Sequence, residues 1–474
     1  MFFQRFYDDT LAQASYLIGC AATGEAMVID PNRDVAQYVR AADDEGLRIT
    51  HVTETHIHAD FLSGTRELAH VTGAVMYLSD EGGPGWQYAF AKQGGAVLLH
   101  DRDHFMVGNI RFDVLHTPGH TPEHLSFVVT ATAGATGPMG IVTGDFVFVG
   151  DVGRPDLLEK AAKVAGSADG AARALWKSLA KFRNLPDHLQ VWPGHGAGSA
   201  CGKGMSAVPQ STVGYEKLFN WAFGAATEEE FVAQVLAGQP EPPKYFAEMK
   251  RLNRDGPPIL DGLRTPPRME GARLPELLAA GATVVDARPS EAFTARHIPG
   301  TIHIPLDRSF TTWAGWLLSY TEPFYLLVSG DAPERLHEAL RDLAMIGLDG
   351  AAGWFGSDAM AAWGKDGRAY GNTALITPEE LAHRKDRNGL AVLDVRGQAE
   401  WEAGHLPGVK NIPLGYLLDR IDDVPAGRPL VLQCASGARS LVATSLLESR
   451  GITDVINLAG GFSAWERAGL PVER

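Results

Sequence analysis

The sequence predicts an α/β multidomain protein, and three observations carry that expectation. Its 474 residues exceed what one hydrophobic core can hold and suggest roughly three domains. In the first half, short apolar strands stop abruptly at His or Asp residues set among Gly and Pro. In the second half, a set of motifs returns at a fixed offset.

Composition narrows the function before any motif is read. Hydrophobic content of 45% and charged content of 21% are those of an ordinary globular protein. No apolar run approaches the roughly 20 residues that cross a bilayer, and the first ten residues carry Asp8 and Asp9 with no apolar stretch of a signal peptide. A cytoplasmic protein without a membrane partner is expected. The net charge of −15 repels phosphate backbones and argues against nucleic acid. Cys20, Cys201 and Cys434 are odd in number and far apart, so thiol chemistry is expected rather than disulfides.

Taken in order, residues 15–20 and 27–30 read as a hairpin, 35–46 as a helix and 47–55 as a strand. That strand runs into Thr55-His56-Ile57-His58-Ala59-Asp60-Phe61, and a helix is expected over 63–71. Three later strands end the same way. Residues 112–116 lead to Thr117-Pro118-Gly119-His120-Thr121, 140–143 to Gly144-Asp145, and 190–192 to Pro193-Gly194-His195-Gly196. Tight Gly and Pro turns let the backbone leave each strand sharply, so the next His or Asp can face a common point. The candidate metal donors are therefore His56, His58, Asp60, His120, Asp145 and His195.

This pattern resembles the metallo-β-lactamase superfold, specifically its glyoxalase II and persulfide dioxygenase branch, over residues 1–255. The resemblance implies an αββα sandwich with metal at one edge of its two sheets. Dinuclear members read T-H-x-H-x-D-H, the first two His serving one metal and the Asp and last His a second. Phe61 stands at that last position here, and an aromatic ring cannot ligate a divalent ion, so one metal is expected. By resemblance to the persulfide dioxygenases the ligands are His56, His120 and Asp145, holding one Fe(II) per chain with positions left for O2 and a substrate sulfur. His58, Asp60 and His195 either orient those ligands by hydrogen bonds or bind metal themselves. Arg154 either holds the carboxylate of a thiol substrate or forms a salt bridge with Asp151 or Asp156. Cys201 lies in a glycine-rich run, 194–204, that lacks Walker spacing and reads as flexible backbone near the metal. It either relays sulfur and contacts substrate or is a small buried thiol. Cys20 reads as core.

Residues 222–270 read as a transition: a helix over 227–236, then Pro240, Pro242, Pro243, Pro257, Pro258, Pro266 and Pro267 as a semi-rigid spacer. Beyond it, Val284-Val285-Asp286-Ala287-Arg288 and His297-Ile298-Pro299-Gly300 return 108 residues later as Val392-Leu393-Asp394-Val395-Arg396 and His405-Leu406-Pro407-Gly408. A constant offset across separated motifs means two copies of one domain, expected over 256–370 and 371–474. Both resemble rhodanese domains, which implies α/β folds with mainly parallel sheets.

In the second copy a strand at 429–433 and a helix at 441–449 flank Cys434-Ala435-Ser436-Gly437-Ala438-Arg439-Ser440. A thiol at a helix N-terminus gains from backbone N–H groups and the helix dipole, which stabilise a thiolate or a bound persulfide. Ala435, Ser436, Gly437, Ala438 and Ser440 then cradle the sulfur, with Arg439 adding positive charge. A phosphatase loop needs five residues between Cys and Arg; four stand here, so sulfur transfer is preferred. The first copy has Ser329-Gly330-Asp331-Ala332-Pro333-Glu334-Arg335 instead, with no cysteine, and Asp331 and Glu334 would oppose an anion. It reads as a degenerate domain that spaces or docks the others.

The whole chain resembles a persulfide dioxygenase and rhodanese fusion of sulfide detoxification. That implies O2 and a glutathione-like thiol persulfide as substrates, sulfite and thiosulfate as products, and a homo-oligomeric enzyme. Two alternatives stay open: a zinc-dependent, glyoxalase II-like thioester hydrolase carrying rhodanese domains, and a non-catalytic sulfur sensor or scaffold.

Overall fold

Gln13–Cys20 is buried at every position, which a strand achieves only when both faces of its sheet are covered. Tyr16 and Ile18 point into the layer between two sheets, while Leu17 faces the opposite side beneath helices. This period of two, with both sets apolar, makes a layered sandwich. In the computed structural model, residues 1–160, 166–239, 241–330, 333–365, 367–385 and 389–474 are described. Pro240 of the expected spacer and Asp331 and Ala332 of the first-copy loop lie outside the described residues.

The chain divides into two compact units, Met1–Leu263 with Ala344–Gly347, and Arg264–Leu343 with Leu348–Arg474. The first holds two six-stranded sheets. One comprises β1 (Phe2–Asp8), β2 (Gln13–Cys20), β3 (Glu25–Ile29), β4 (Arg48–Thr53), β5 (Val75–Ser79) and β6 (Val97–Leu99) in that spatial order. The other comprises β7 (His104–Val107), β8 (Ile110–His116), β9 (Leu125–Ala131), β10 (Gly140–Gly144), β11 (Gln190–Pro193) and β12 (Ser211–Thr212), ordered β12-β11-β10-β9-β8-β7. The expected hairpin is β2 and β3, paired antiparallel with Tyr16 opposite Ile29. β1, which pairs antiparallel with β2, was not expected; its burial is only partial, so its apolar alternation is weak.

Core residues of both sheets, among them Met27, Phe112, Phe127 and Trp192, fill the space between them. Helices Ala36–Asp44 and Thr65–Thr72 cover the outer face of the first sheet, and helix Ser167–Arg183 covers the second. This is the expected αββα arrangement. β10 and β11 run parallel, and β8 shares their direction through two antiparallel steps across β9. Their C-terminal ends therefore meet at one edge.

The expected spacer is partly wrong as a description. Tyr245–Asp255 forms a helix whose Tyr245, Phe246, Met249 and Asn253 are buried. Its contribution is described with the site. The sequence pattern was hidden because prolines flank the helix and the last of its four buried positions is Asn rather than an apolar residue.

The second unit carries two parallel sheets. The first has β13 (Thr283–Asp286), β14 (Ile302–His303), β15 (Phe324–Leu327) and β16 (Ala351–Phe355), ordered β14-β13-β15-β16. The second has β17 (Ala374–Ile376), β18 (Ala391–Asp394), β19 (Lys410–Asn411), β20 (Leu430–Gln433) and β21 (Val455–Leu458), ordered β17-β21-β20-β18-β19. The two copies form one unit because they share a buried helix. Ser440 to Leu447 of helix Ala438–Ser449 are all buried, against β20 and β21 on one side and β14 of the preceding copy on another. Its polar positions are satisfied there: Ser445 Oγ accepts the His303 N–H at 2.8 Å.

The repeated motifs build the same lattice twice. Asp286 grips Arg288 at 2.6 Å and Asp394 grips Arg396 at 2.8 Å. Arg288 donates onward to the Arg296 carbonyl, and Arg396 to that of Gly404. His297 and His405 each donate from Nδ1 to a carbonyl four residues back, Phe293 and Trp401, and stack on those rings. The conserved spacing between the copies thus encodes folding rather than chemistry. Among the described residues no helix is long and apolar enough to cross a membrane.

Asp394 is fully buried, and Arg396 is its charge partner. Arg396→Met should cost roughly 3–5 kcal/mol by stranding a buried carboxylate. Chemical denaturation followed by tryptophan fluorescence would read this as an earlier unfolding transition, and an unchanged midpoint would contradict it.

Candidate functional site

The four strand ends place six donors together. His56 and His58 follow β4, His120 follows β8, Asp145 follows β10 and His195 follows β11, with Asp60 in the same loop as His56. Gly144 makes this possible: its φ of +48° lies in the left-handed region, and an added Cβ would collide with the Thr55 side chain. The backbone turns there without obstruction and sends Asp145 inward.

His56, His120 and Asp145 form one cluster, all buried, with donor atoms within 4.8 Å of one another. Asp145 Oδ2 lies 3.5 Å from His120 Nε2 and 4.0 Å from His56 Nε2. Bonds of about 2.1 Å to a single ion can span such separations. His56 Nδ1 donates to Thr55 Oγ1 at 3.0 Å, and His120 Nδ1 donates to the Arg154 carbonyl at 3.1 Å. Each Nε2 therefore presents a lone pair. Burial, and then the neighbouring histidines, hold His56 well below the usual imidazole range, and burial lowers His120 too. Among the described residues, His56 Nε2 and both Asp145 oxygens are buried without a hydrogen-bond partner. Orphaned donors of this kind fit a metal ion.

The remaining three candidates divide. His58 turns away, its Nε2 3.1 Å from Asp30 Oδ1; burial disfavours its charge, but Asp30 outweighs that and lifts it to about 9. Asp30 thus engages its Nε2, while its Nδ1 is buried without a hydrogen-bond partner among the described residues. Asp60 and His195 stay close to Asp145, with His195 Nε2 3.2 Å from Asp60 Oδ2 and 3.4 Å from Asp145 Oδ1. Burial opposes protonation of His195, yet Asp145 and Asp60 raise its pKa well above the usual value. Cys201 joins these two in a second buried donor group. Burial foremost, then the two carboxylates, push its thiol up to about 12.

The structure shows one of the two alternatives left open for Arg154 and changes the reading of the glycine-rich run. Arg154 is fully buried, and its guanidinium grips Asp156 at 2.8 and 2.7 Å and the Ala200 carbonyl at 3.1 Å. The fork is filled by the protein, so it is the salt bridge with Asp156, not a substrate carboxylate, that Arg154 serves. The glycine-rich run is also tied down, since Lys203 and Gly204 donate backbone N–H groups to Asp151 at 3.0 and 2.7 Å. Cys20 is buried in the inter-sheet core as expected.

The second site is the Cys434 loop. Cys434 is fully buried and free, and its Sγ accepts the Gly437 N–H at 3.1 Å and the Ser440 hydroxyl at 3.4 Å. The helix begins at Ala438, one turn earlier than expected, because Gly437 caps it with φ of +99°. Arg439 makes a two-pronged pair with Glu400 at 2.6 and 2.8 Å. Its charge is thus shared with a carboxylate, and N–H and O–H donors are the sulfur's direct contacts. Asn457 of β21 braces the loop, accepting from Ser440 Oγ at 2.6 Å and donating to the Gly437 carbonyl at 3.0 Å.

Residues 8–195 match the family model described as Metallo-beta-lactamase superfamily, and residues 377–468 the Rhodanese-like domain. A crystal structure of a metallo-beta-lactamase from Staphylococcus aureus is 44% identical and superposes with a TM-score of 0.67, covering 75% of this chain and 98% of its own. The chain belongs to the metallo-beta-lactamase superfamily. Its C-terminal part is a rhodanese-like domain, 37% identical over 98 residues to a sulfurtransferase of Allochromatium vinosum, spanning 20% of this chain and 92% of that protein. Over 38% of the chain it is 31% identical to a hydroxyacylglutathione hydrolase of Rhodospirillum rubrum, 60% of whose length is covered. The chain spans about half the length of the first curated relatives it matches, at 54%.

The metallo-beta-lactamase fold binds metals, and here several supporting residues escaped the sequence reading. Asp30, at the end of β3, accepts the Thr55 N–H at 2.6 Å and the Thr55 hydroxyl at 2.9 Å, besides holding His58. The strand-end rule that found the donors would have found it. His124 Nε2 accepts the Asp145 N–H at 3.1 Å while its Nδ1 engages Thr117 Oγ1. Glu123 Oε1 accepts the Ile57 N–H at 2.8 Å. Asn253 reaches back from the expected spacer to donate to the His58 and Phe61 carbonyls, both at 2.8 Å, and accepts the Ser63 N–H at 2.9 Å. It fixes the whole metal loop, a role no local pattern announces.

Thr55 links Asp30 to His56 through one hydroxyl. Thr55→Val keeps the shape and removes that link, so metal affinity should fall about 10- to 100-fold. Competition against a chelator of known affinity would measure it; an unchanged affinity would remove Thr55 from the supporting set.

Proposed function

We propose that the chain is a cytoplasmic persulfide dioxygenase joined to a rhodanese sulfurtransferase, acting on small thiol persulfides in sulfide detoxification. The observation that carries the reading is Phe61. It is fully buried against His58, with ring centroids 4.3 Å apart, and leaves a donor set of two imidazoles and one carboxylate beside it. Fe(II) held by His56, His120 and Asp145 would supply redox chemistry and open positions for O2 and a persulfide sulfur.

The chain's own residues do the rest. Thr55 and the Arg154 carbonyl fix the two imidazoles, and the buried rings of Phe61 and Phe148 pack against His58 and His195. The net reaction balances as one persulfide, one O2 and one water giving one thiol, sulfite and two protons. A second thiol persulfide would give its outer sulfur to the Cys434 thiolate, breaking the donor's S–S bond and releasing its thiolate, and sulfite would then take that sulfur, breaking the new Sγ–S bond to form thiosulfate and restoring the Cys434 thiolate. The Gly437 N–H would meet that sulfur, with Ser440, whose hydroxyl bonds Asn457, bordering it at 3.4 Å. The same step in reverse delivers persulfide. Carrying both activities on one chain raises the effective concentration of the shared sulfite.

The hydroxyacylglutathione hydrolase relative favours a rival, zinc-dependent thioester hydrolysis. One experiment separates the two. Protein purified without oxygen should contain iron and take up O2 equimolar with added glutathione persulfide. Zinc, thioester cleavage and no O2 uptake would sink the dioxygenase reading; no turnover of either substrate would favour a sulfur sensor. Cys434→Ser should abolish thiosulfate formation and spare O2 uptake, and unchanged thiosulfate would refute its role.

A further inference from the structure

The first unit takes in four residues from far along the chain, Ala344–Gly347, which close helix Pro333–Met345 of the copy without a cysteine. The last carbonyls of a helix have no partner within it. Here the chain turns back at once: Gly347, at φ +72°, donates its N–H to the Ala344 carbonyl at 3.0 Å, and Leu348 donates to that of Leu343 at 2.9 Å. The Met345 carbonyl instead accepts the Leu62 N–H at 2.7 Å.

Leu62 directly follows Phe61 in the metal loop and is fully buried, so water does not serve its N–H. Its neighbours are tied by other elements of the first unit. Asn253 holds the His58 and Phe61 carbonyls and the Ser63 N–H, and the Pro31 carbonyl accepts the Gly64 N–H at 2.7 Å. Between these ties, the anchor of Leu62 is the end of a helix that the sequence assigns to another domain.

Arg33 holds that helix end in place. It is only 5% exposed, and its guanidinium donates to the Ala344 carbonyl at 3.1 Å and to the Pro258 carbonyl at 2.9 Å. A cation there also meets the negative end of the helix dipole. Gly347 packs just as closely, since an added Cβ would stand 3.1 Å from Leu62 Cδ2 and 3.4 Å from both Leu252 Cδ1 and Met249 Cε. Polar and apolar contacts therefore converge on one loop residue.

We infer that Ala344–Gly347, clasped by Arg33, positions the metal loop, so that the copy without a cysteine supplies part of the support of the metal centre. These are positioning residues that act through Leu62. A loop already held in shape loses less freedom when its donors close on an ion, and supporting contacts of this kind are worth about 10- to 100-fold in metal affinity. The inference applies to any divalent ion at His56, His120 and Asp145, and it does not rest on the oxygen chemistry.

Two measurements on the full chain test it: competition with a chelator for Co(II), and hydrogen exchange followed by mass spectrometry. Arg33→Met keeps an unbranched side chain without its donors. It should weaken Co(II) binding about tenfold and speed exchange in the peptide spanning residues 57–64, while β2 and β3 keep their protection. Arg33→Lys, which keeps a donor, should recover part of the affinity. Gly347→Ala presses on Leu62 from the other side and should reproduce both effects, covering the case in which Arg33→Met misfolds. Faster exchange with unchanged Co(II) affinity would reduce the segment to a packing contact and overturn the inference. Unchanged exchange in both variants, or exchange that speeds equally in β2 and β3, would overturn it as well.

Discussion

The first unit is organised by the burial of one carboxylate. Asp145 is fully enclosed, and neither of its oxygens accepts a hydrogen bond among the described residues. An ionised carboxylate taken from water into such a place costs several kcal/mol unless positive charge or strong donors meet it. The surroundings meet it with imidazoles rather than with Lys or Arg: His56, His120 and His195 all stand within 4.0 Å. Two of these are held neutral by burial, so they bring lone pairs rather than charge. The third, His195, is the ring member whose pKa the carboxylates raise, so charge meets Asp145 from that side while the lone pairs of His56 and His120 meet it from the other, where a metal ion would fit.

Everything around that ring fixes direction. An imidazole has two nitrogens, and which one is free is set by the bond the other makes. Thr55 takes Nδ1 of His56, the Arg154 carbonyl takes that of His120, and the Ala12 carbonyl takes that of His195. Arg154 shows how economical the arrangement is. Its side chain locks the loop before Cys201 while its backbone sets the tautomer of His120, so one residue ties the donors of both clusters together.

Much of this was legible in sequence, and the limit has a physical origin. The strand ends at His120, Asp145 and His195 announced themselves because sharp turns put Gly or Pro beside the donor, and His56 because three potential donors fall within five residues. The repeat was legible because an Asp-x-Arg grip and a His four residues after an aromatic need fixed spacing. Arg154 was not, since a guanidinium suits an internal carboxylate as well as a substrate's, and only burial decides between them. Asn253 was hidden by distance along the chain; a side-chain amide that holds a loop some 190 residues away leaves no local signal. Helix Ala438–Ser449 was misjudged at its start because a left-handed Gly437 lets the helix begin inside the cysteine loop.

The two buried cysteines with candidate roles make opposite use of the same atom. Around Cys434 the nearest groups are hydrogen-bond donors, the Gly437 N–H and the Ser440 hydroxyl, and helix Ala438–Ser449 directs its N-terminus there. That setting stabilises an anionic sulfur in the absence of any other ion, as a nucleophile requires. Around Cys201 the nearest groups are carboxylates and an imidazole nitrogen, none of which relieves negative charge on sulfur unless a proton or metal ion lies between them. In the proposed function transfer chemistry therefore rests on Cys434 alone, whereas the thiol of Cys201 is pushed up by burial and by the carboxylates beside it. The rhodanese-like part solves the problem of a buried anion with backbone and hydroxyl donors, and the metallo-beta-lactamase part solves it with histidines that await an ion.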